Sequence, residues 1–209
     1  MPAQDRTTTV DPTAGRRPPR RPGRPARTSM ASLLDAAVAV GLDTFTLADV
    51  AAHVGVGEST IYNYVPGRDD LYAKAAAAVF DRLDIDADAD TWTDYVDVVA
   101  QRAVDLAARH PGLREYVFSG PYEPTTVATF EALIARVRRW LPDLTEHAAF
   151  VVTSRPILLG LTYLGDPVLE PVTPWLRRAL LDGLATALTN GDLPPTPPTS
   201  WRSKLRSTD

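Results

Sequence analysis

Seven side chains able to donate or accept hydrogen bonds fall within eleven positions of the stretch V-G-E-S-T-I-Y-N-Y-V-P-G-R-D-D-L-Y, residues 56–72. They are Glu58, Ser59, Thr60, Tyr62, Asn63, Tyr64 and Arg68. At about 100° per residue on a helical wheel, Ile61 and Val65 share one side and must face a core. Ser59 and Asn63 fall opposite. Thr60 and Tyr64 lie on one flank and Tyr62 on the other. A helix from about Gly57 to Tyr64 would thus be anchored by a narrow apolar seam and would offer everything else outward. Such a surface suits DNA. Asn pairs in bidentate fashion with adenine, and Ser or Thr hydroxyls serve base or phosphate. Tyr hydroxyls reach phosphate oxygens while their rings pack on the sugars, and Arg68 just past the turn is placed for a phosphate.

Other chemistries find little support. No Ser/His/Asp or Lys arrangement stands out as a catalyst, and no glycine-rich phosphate loop occurs, so no enzyme and no cofactor is expected. The three His (His53, His110, His147) form no paired ligand motif, and there is no Cys. His53 reads as a surface residue. His110, before Pro111, reads as a helix-end residue whose imidazolium favours the dipole. The run Asp81, Asp84, Asp86, Asp88, Asp90 lacks the order, the Gly and the closing Glu of a calcium loop, so it reads as solvated and no metal is expected.

The elements that must position residues 58–68 follow from periodicity. Ser29 is a plausible N-cap for a helix with Met30, Leu33, Leu34, Ala37 and Val38 on one stripe, closed by Gly41. Thr46-Leu47-Ala48-Asp49 resembles a capping box. Leu47, Val50, Ala51 and Val54 then recur at i, i+3, i+4 and i+7 until Gly55 breaks the pattern. Two short helices joined at Gly55 form a helix-turn-helix unit, whose second helix enters the major groove. The remainder is helical in pattern, near 69–85, 91–109, 112–118, 124–140, 143–164 and 174–190, without a convincing strand. The expected fold is all-α: a three-helix DNA-binding headpiece at 29–74, a helical second domain at 75–191, and a tail at 192–209.

The helix at 143–164 is apolar nearly all round from Ala148 onward, although Pro156 should kink it. The helix at 174–190 carries the stripe Leu176, Leu180, Leu184, Ala187, Leu188. Two such helices per subunit suit a four-helix interface, so a homodimer is expected. With 209 residues the chain can bury a sizeable core, and no apolar run reaches the ~18 residues of a membrane span. An absence of Cys fits a reducing cytosol, and the apolar run behind the Arg-rich start carries Asp35 and lacks a cleavage site, so cytoplasmic location is the expectation.

Charge is distributed unevenly. The overall net charge is −4, yet residues 1–28 hold seven Arg (Arg6, Arg16, Arg17, Arg20, Arg21, Arg24, Arg27) against Asp5 and Asp11. Everything after residue 28 holds 15 basic and 24 acidic residues. A Pro- and Arg-rich arm without apolar period is expected to be disordered when free, and its charge points to a polyanion.

Together these residues resemble the TetR family of bacterial transcription regulators. The matching positions run from Thr46 through Val50-Ala51, Gly55-Val56, Thr60-Ile61-Tyr62 and Tyr64-Val65 to Arg68 and Leu71, 26 residues with unbroken spacing. The Y-V-P-G-R-D-D-L end looks most like the branch that includes the tetracycline repressor. This resemblance implies an operator on double-stranded DNA, a small-molecule effector and, as the expected mode, repression relieved by that effector. It places Thr60, Tyr62, Tyr64 and Arg68 near the DNA backbone and Ser59 and Asn63 where bases are read, with Thr46 and Glu58 on the same DNA-binding surface. It also implies an effector pocket in the second part, for which Tyr95, Tyr116, Phe130, Phe150 and Tyr163 are the candidates. An architectural DNA-binding protein without effector is the alternative. Glu58 departs from the Lys or Gln of many members, and Ala48 from a base-reading Arg of some. Between 29 and 75 only Arg68 and Lys74 oppose six acidic residues. The arm, whose Arg-Pro-Gly-Arg-Pro run loosely resembles a minor-groove AT-hook core, is expected to supply the missing charge. Deleting residues 16–27 should flatten the plot of log affinity against log salt by about 0.9 per lost phosphate contact, several units in all. An unchanged slope would mean the arm is idle.

Overall fold

The structure, a computed structural model, describes residues 28–192 together with 194 and 195. The predicted arm, with Arg16, Arg17, Arg20, Arg21, Arg24 and Arg27, lies outside the described residues, as does most of the predicted tail. Among the described residues all regular structure is helical: α1 (Met30–Val40), α2 (Leu47–Val54), α3 (Glu58–Ile61), α4 (Arg68–Phe80), α5 (Trp92–Arg109), α6 (Leu113–Ser119), α7 (Pro124–Val137), α8 (Glu146–Thr162) and α9 (Thr173–Thr189), with one 3-10 turn at Glu170–Val172.

Local chemistry sets the ends of the first helices. The Ser29 hydroxyl accepts from the Ser32 amide at 3.2 Å and caps α1. Thr46 and Asp49 form the expected box. The Thr46 Oγ1 accepts from the Asp49 amide at 3.1 Å, and Asp49 Oδ2 accepts from the Thr46 amide at 2.9 Å. These bonds hold the Asp49 carboxyl below its ordinary pKa, the Thr46 hydroxyl contributing most. Gly55 adopts the left-handed conformation (φ 76°) that ends α2 at small steric cost.

α1 packs on α2 and α4, and α2 on α3, so the first helices form a compact head. In the second part α5 packs on α8 and α9, and α8 on α7 and α9. α4 belongs to both. It contacts α1 on one side and α6 and α7 on the other. The buried apolar side chains form one continuous cluster from Leu33 to Leu181.

Three predicted helices end three or more residues earlier than the periodicity suggested. The third closes at Ile61 rather than Tyr64, because the Asn63 and Tyr64 amides bond the carbonyls of Thr60 and Ile61, an i to i−3 pattern that tightens the chain into a turn. α4 stops at Phe80 rather than 85. Beyond it the Asp-rich segment runs without helix, its carbonyls at Asp84 and Asp86 bound by Arg102 and that at Ile85 by the Tyr95 hydroxyl. α7 stops at Val137 rather than 140, where Trp140 and Leu141 bond back to the Val137 carbonyl. α8 runs through Pro156.

One glycine joins the two parts. Gly112, between α5 and α6, has φ 97°, and a Cβ there would lie 2.8 Å from the Asp43 nitrogen and 3.0 Å from Leu42 Cβ. The turn before α6 therefore rests directly on the loop between α1 and α2. Tyr72 of α4 donates its hydroxyl to the Gly112 carbonyl at 2.8 Å. Burial, then the nearby Glu115, pushes that phenol up to about 12. Replacing Gly112 with Ala should destabilise the chain by about 1–3 kcal/mol, since both the positive φ and the backbone contact oppose a methyl group. Urea unfolding measures this, and a loss below the extrapolation error would mean the joint is loose.

Candidate nucleic-acid interface

The helix-turn-helix is built as its sequence requires. Ile61 is fully buried and Val65 is 2 % exposed, so the narrow apolar seam does face the core, alongside Leu47, Val50 and Ala51 of α2. On the other side Glu58, Ser59 and Asn63 are exposed, Thr60 is half-buried, and Tyr62 is 55 % exposed. The side chains of Ser59, Tyr62 and Asn63 make no hydrogen bond to any described residue, which leaves an amide, a hydroxyl and a phenol directed outward together. Exposed groups of these types satisfy both halves of DNA recognition, base edge and backbone.

Three further residues on the expected surface have partners inside the protein. The Thr46 hydroxyl is engaged in the α2 cap, donating to Asp49 Oδ2 at 2.6 Å. Tyr64 turns inward, and its hydroxyl donates to the Thr28 carbonyl at 2.7 Å. That bond ties the end of the basic arm to the recognition turn. Arg68 was expected to serve a phosphate; instead its Nε donates to the Phe45 carbonyl at 2.9 Å and its Nη2 to the Asp43 carbonyl at 3.0 Å. Its guanidinium also lies 4.9 Å from the Phe45 ring centroid, a cation–π contact. Only Nη1, 3.8 Å from Asp69, remains outward. The Asp43 and Phe45 carbonyls and the Thr28 carbonyl could not have been found in the sequence, because a backbone acceptor carries no residue signature.

His53 is exposed, as expected of a surface residue. His110 does end α5, but burial, then Arg82 and Arg109, push its imidazole below its ordinary pKa. The charged form expected at that helix end is disfavoured, chiefly because burial strips water from the imidazolium and secondarily because two guanidiniums repel it. Among the described residues no cluster of His, Cys, Asp or Glu could hold a metal ion, and no helix is long and apolar enough to cross a membrane.

The five aromatic candidates for an effector pocket separate into different places. Phe130 lies between Phe80 (5.5 Å, stacked) and Phe150 (6.4 Å, edge-on). Tyr116 is fully buried among Tyr72 and Tyr122 and exchanges a 2.7 Å hydrogen bond with Thr126. Tyr95 is fully buried 5.5 Å from Trp140. Tyr163 is half-buried at the end of α8. None of the five lines the cleft of about 310 Å³ between α5, α8 and α9.

No family model matches the chain. Its sequence is 29 % identical over 170 residues to the HTH-type transcriptional repressor LfrR of Mycolicibacterium smegmatis, covering 77 % of this chain and 88 % of that protein. Its fold is similar to that of ActR, a TetR family protein of Streptomyces coelicolor solved in complex with actinorhodin. The TM-score is 0.61 at 15 % identity, over 80 % of this chain and 99 % of that one. A second TetR of Streptomyces coelicolor aligns with TM-score 0.56 at 21 % identity, over 80 % of this chain and all of the other. The chain is thus similar in sequence to one such repressor and in fold to proteins of the TetR family. Its fold, all helical with the helix-turn-helix at the N-terminal end and a helical second part, is that family's.

Within this head the outward and inward residues should separate by experiment. Asn63→Ala should cost about 1–3 kcal/mol of binding to one DNA sequence and relax preference at one position. Arg68→Met should instead lower the stability of the free protein, by about 1–3 kcal/mol, through loss of charge-assisted bonds to two carbonyls. Competition among operator variants and urea unfolding of both proteins check this. Uniform weakening by the Asn63 change would sink the base-reading role, and unaltered stability would sink the Arg68 clamp.

Proposed function

We propose that the protein is a transcriptional repressor that binds a DNA operator as a homodimer and releases it when a small molecule binds the second part of the chain. One observation carries the reading: Ser59, Tyr62 and Asn63 stand outward on a turn whose only buried anchors are Ile61 and Val65. An amide, a hydroxyl and a phenol grouped on one exposed turn suit base edges and phosphates together. The repressor named LfrR, and ActR with its bound actinorhodin, supply supporting precedents for the DNA and ligand halves.

The dimer is supported by α8 and α9. Leu158 and Leu159 of α8 are half-buried rather than buried, as are Leu176, Leu180, Leu184 and Leu188 of α9, and Trp175 is 71 % exposed. A second copy laid against these faces would set two recognition turns on one side, about 34–36 Å apart or at a multiple of that turn. Coupling to the ligand runs through α4, which begins at the Arg68 clamp and ends at Phe80 against Phe130. Working on chromosomal DNA, such a protein acts in the cytoplasm.

Selecting bound fragments from a genomic pool should give a site with two-fold symmetry, and sedimentation at micromolar concentration should give a dimer. A molecule that releases the site should weaken DNA binding by a factor in the range of about 5–150, and operator DNA should weaken that molecule's binding by the same factor. A binder whose affinity is indifferent to DNA would remove the regulatory half of this reading. Failure to enrich any fragment would remove the whole.

A further inference from the structure

We infer that the cleft between α5, α8 and α9 is a binding site for a small neutral molecule bearing a carbonyl oxygen next to an N–H or O–H, a carboxamide being the simplest example. The cleft has a volume of about 310 Å³, at the low end of small-molecule sites. Its centre is Arg177, a residue only 3 % exposed. The guanidinium is held on two of its three nitrogens. Nε bonds Asp97 Oδ1, and Nη2 bonds Gln101 Oε1 at 3.0 Å. The Gln101 amide is itself fixed by its bond to Asp105 at 2.8 Å, so its oxygen is presented to Arg177. Nη1 has no acceptor among the described residues.

Gly160 makes room there. A Cβ on this residue would fall 2.5 Å from Val104 Cγ2 and 3.7 Å from Arg177 Nη1. The bare Cα lets α8 approach α5 closely and leaves the Nη1 edge uncovered. Nη1 is therefore open to solvent in the cleft, and a ligand oxygen placed on it would replace water in a charge-assisted hydrogen bond.

Charge chooses among ligands with such an oxygen. Asp97 already neutralises Arg177, and Glu170 adds a second carboxylate to the lining. An anion would meet no surplus positive charge, and an ammonium, having no acceptor, could not bond Nη1. The Glu170 Oε2 accepts from the Gly165 amide at 2.7 Å, leaving its second oxygen. Thr173 donates its hydroxyl to the Leu169 carbonyl at 2.8 Å, so the hydroxyl oxygen keeps acceptor capacity. One side of the cleft donates and the other accepts. Val104, Pro171 and Pro174 supply apolar walls. This assignment does not depend on whether the bound molecule releases DNA.

Three probes of one shape test it on the full chain: benzamide, benzoate and benzylamine, each titrated by ligand-observed NMR. Benzamide should saturate and bind at least about tenfold more tightly than either charged probe. Arg177→Met combined with Asp97→Asn removes the donor without stranding a carboxylate, and should weaken benzamide by about tenfold or more. Pro171→Trp leaves the Arg177 network intact and should abolish binding by filling the mouth, with an unchanged circular dichroism spectrum. No saturable benzamide binding, tighter binding of benzoate or benzylamine, or wild-type affinity in Pro171→Trp would overturn the assignment. If the double variant fails to fold, the Pro171→Trp result decides.

Discussion

The Arg68 side chain is the constraint on which the rest of the arrangement depends. It starts α4, and its bonds to the Phe45 and Asp43 carbonyls hold that start against the loop between α1 and α2. The same loop receives Gly112 from the turn before α6, and Tyr72, one helical turn along α4 from Arg68, bonds the Gly112 carbonyl. Three segments from distant parts of the chain thus meet on a few backbone atoms. The Gly112 contact is backbone against backbone, and the Arg68 and Tyr72 side chains fasten α4 to the same two loops.

The recognition turn shows the opposite economy. α3 is only four residues long, and such a helix has no stability of its own in water. It persists because Ile61 and Val65 are sealed into the core and Tyr64 is tied to Thr28. The few residues committed inward release Ser59, Tyr62 and Asn63 for contact outside. The head is acidic, and the Arg-rich segment of the sequence ends at Arg27, one residue before the Thr28 anchor.

The second part places its polar groups with similar restraint. Lys74 of α4 bridges Asp70 and Glu123, joining α4 to the start of α7, and the contact with Glu123 raises the pKa of the amine most. Arg177 and Asp97 form an ion pair with the guanidinium almost wholly removed from water. Burying such a pair rarely adds net stability, since desolvation offsets the attraction.

By itself the sequence determined the helix-turn-helix and nearly every helix start, because Ser29, Thr46, Gly55 and the apolar stripes act over three or four residues. It also determined which side of the recognition turn is buried, since Ile61 and Val65 are the only apolar residues there. Only the tertiary structure decided what Tyr64 and Arg68 bond, because their partners are carbonyls 36 and 23 residues away that any residue type could supply. Likewise the helix ends at Ile61, Phe80 and Val137 follow from turns and long-range bonds that no local period encodes. The aromatic residues of the second part were legible as apolar, but their dispersal into separate clusters was not. The partner of Arg177 was hidden for the same reason: a charged residue off an apolar stripe reads as solvated until the helix opposite, with Asp97 80 residues away, is brought against it.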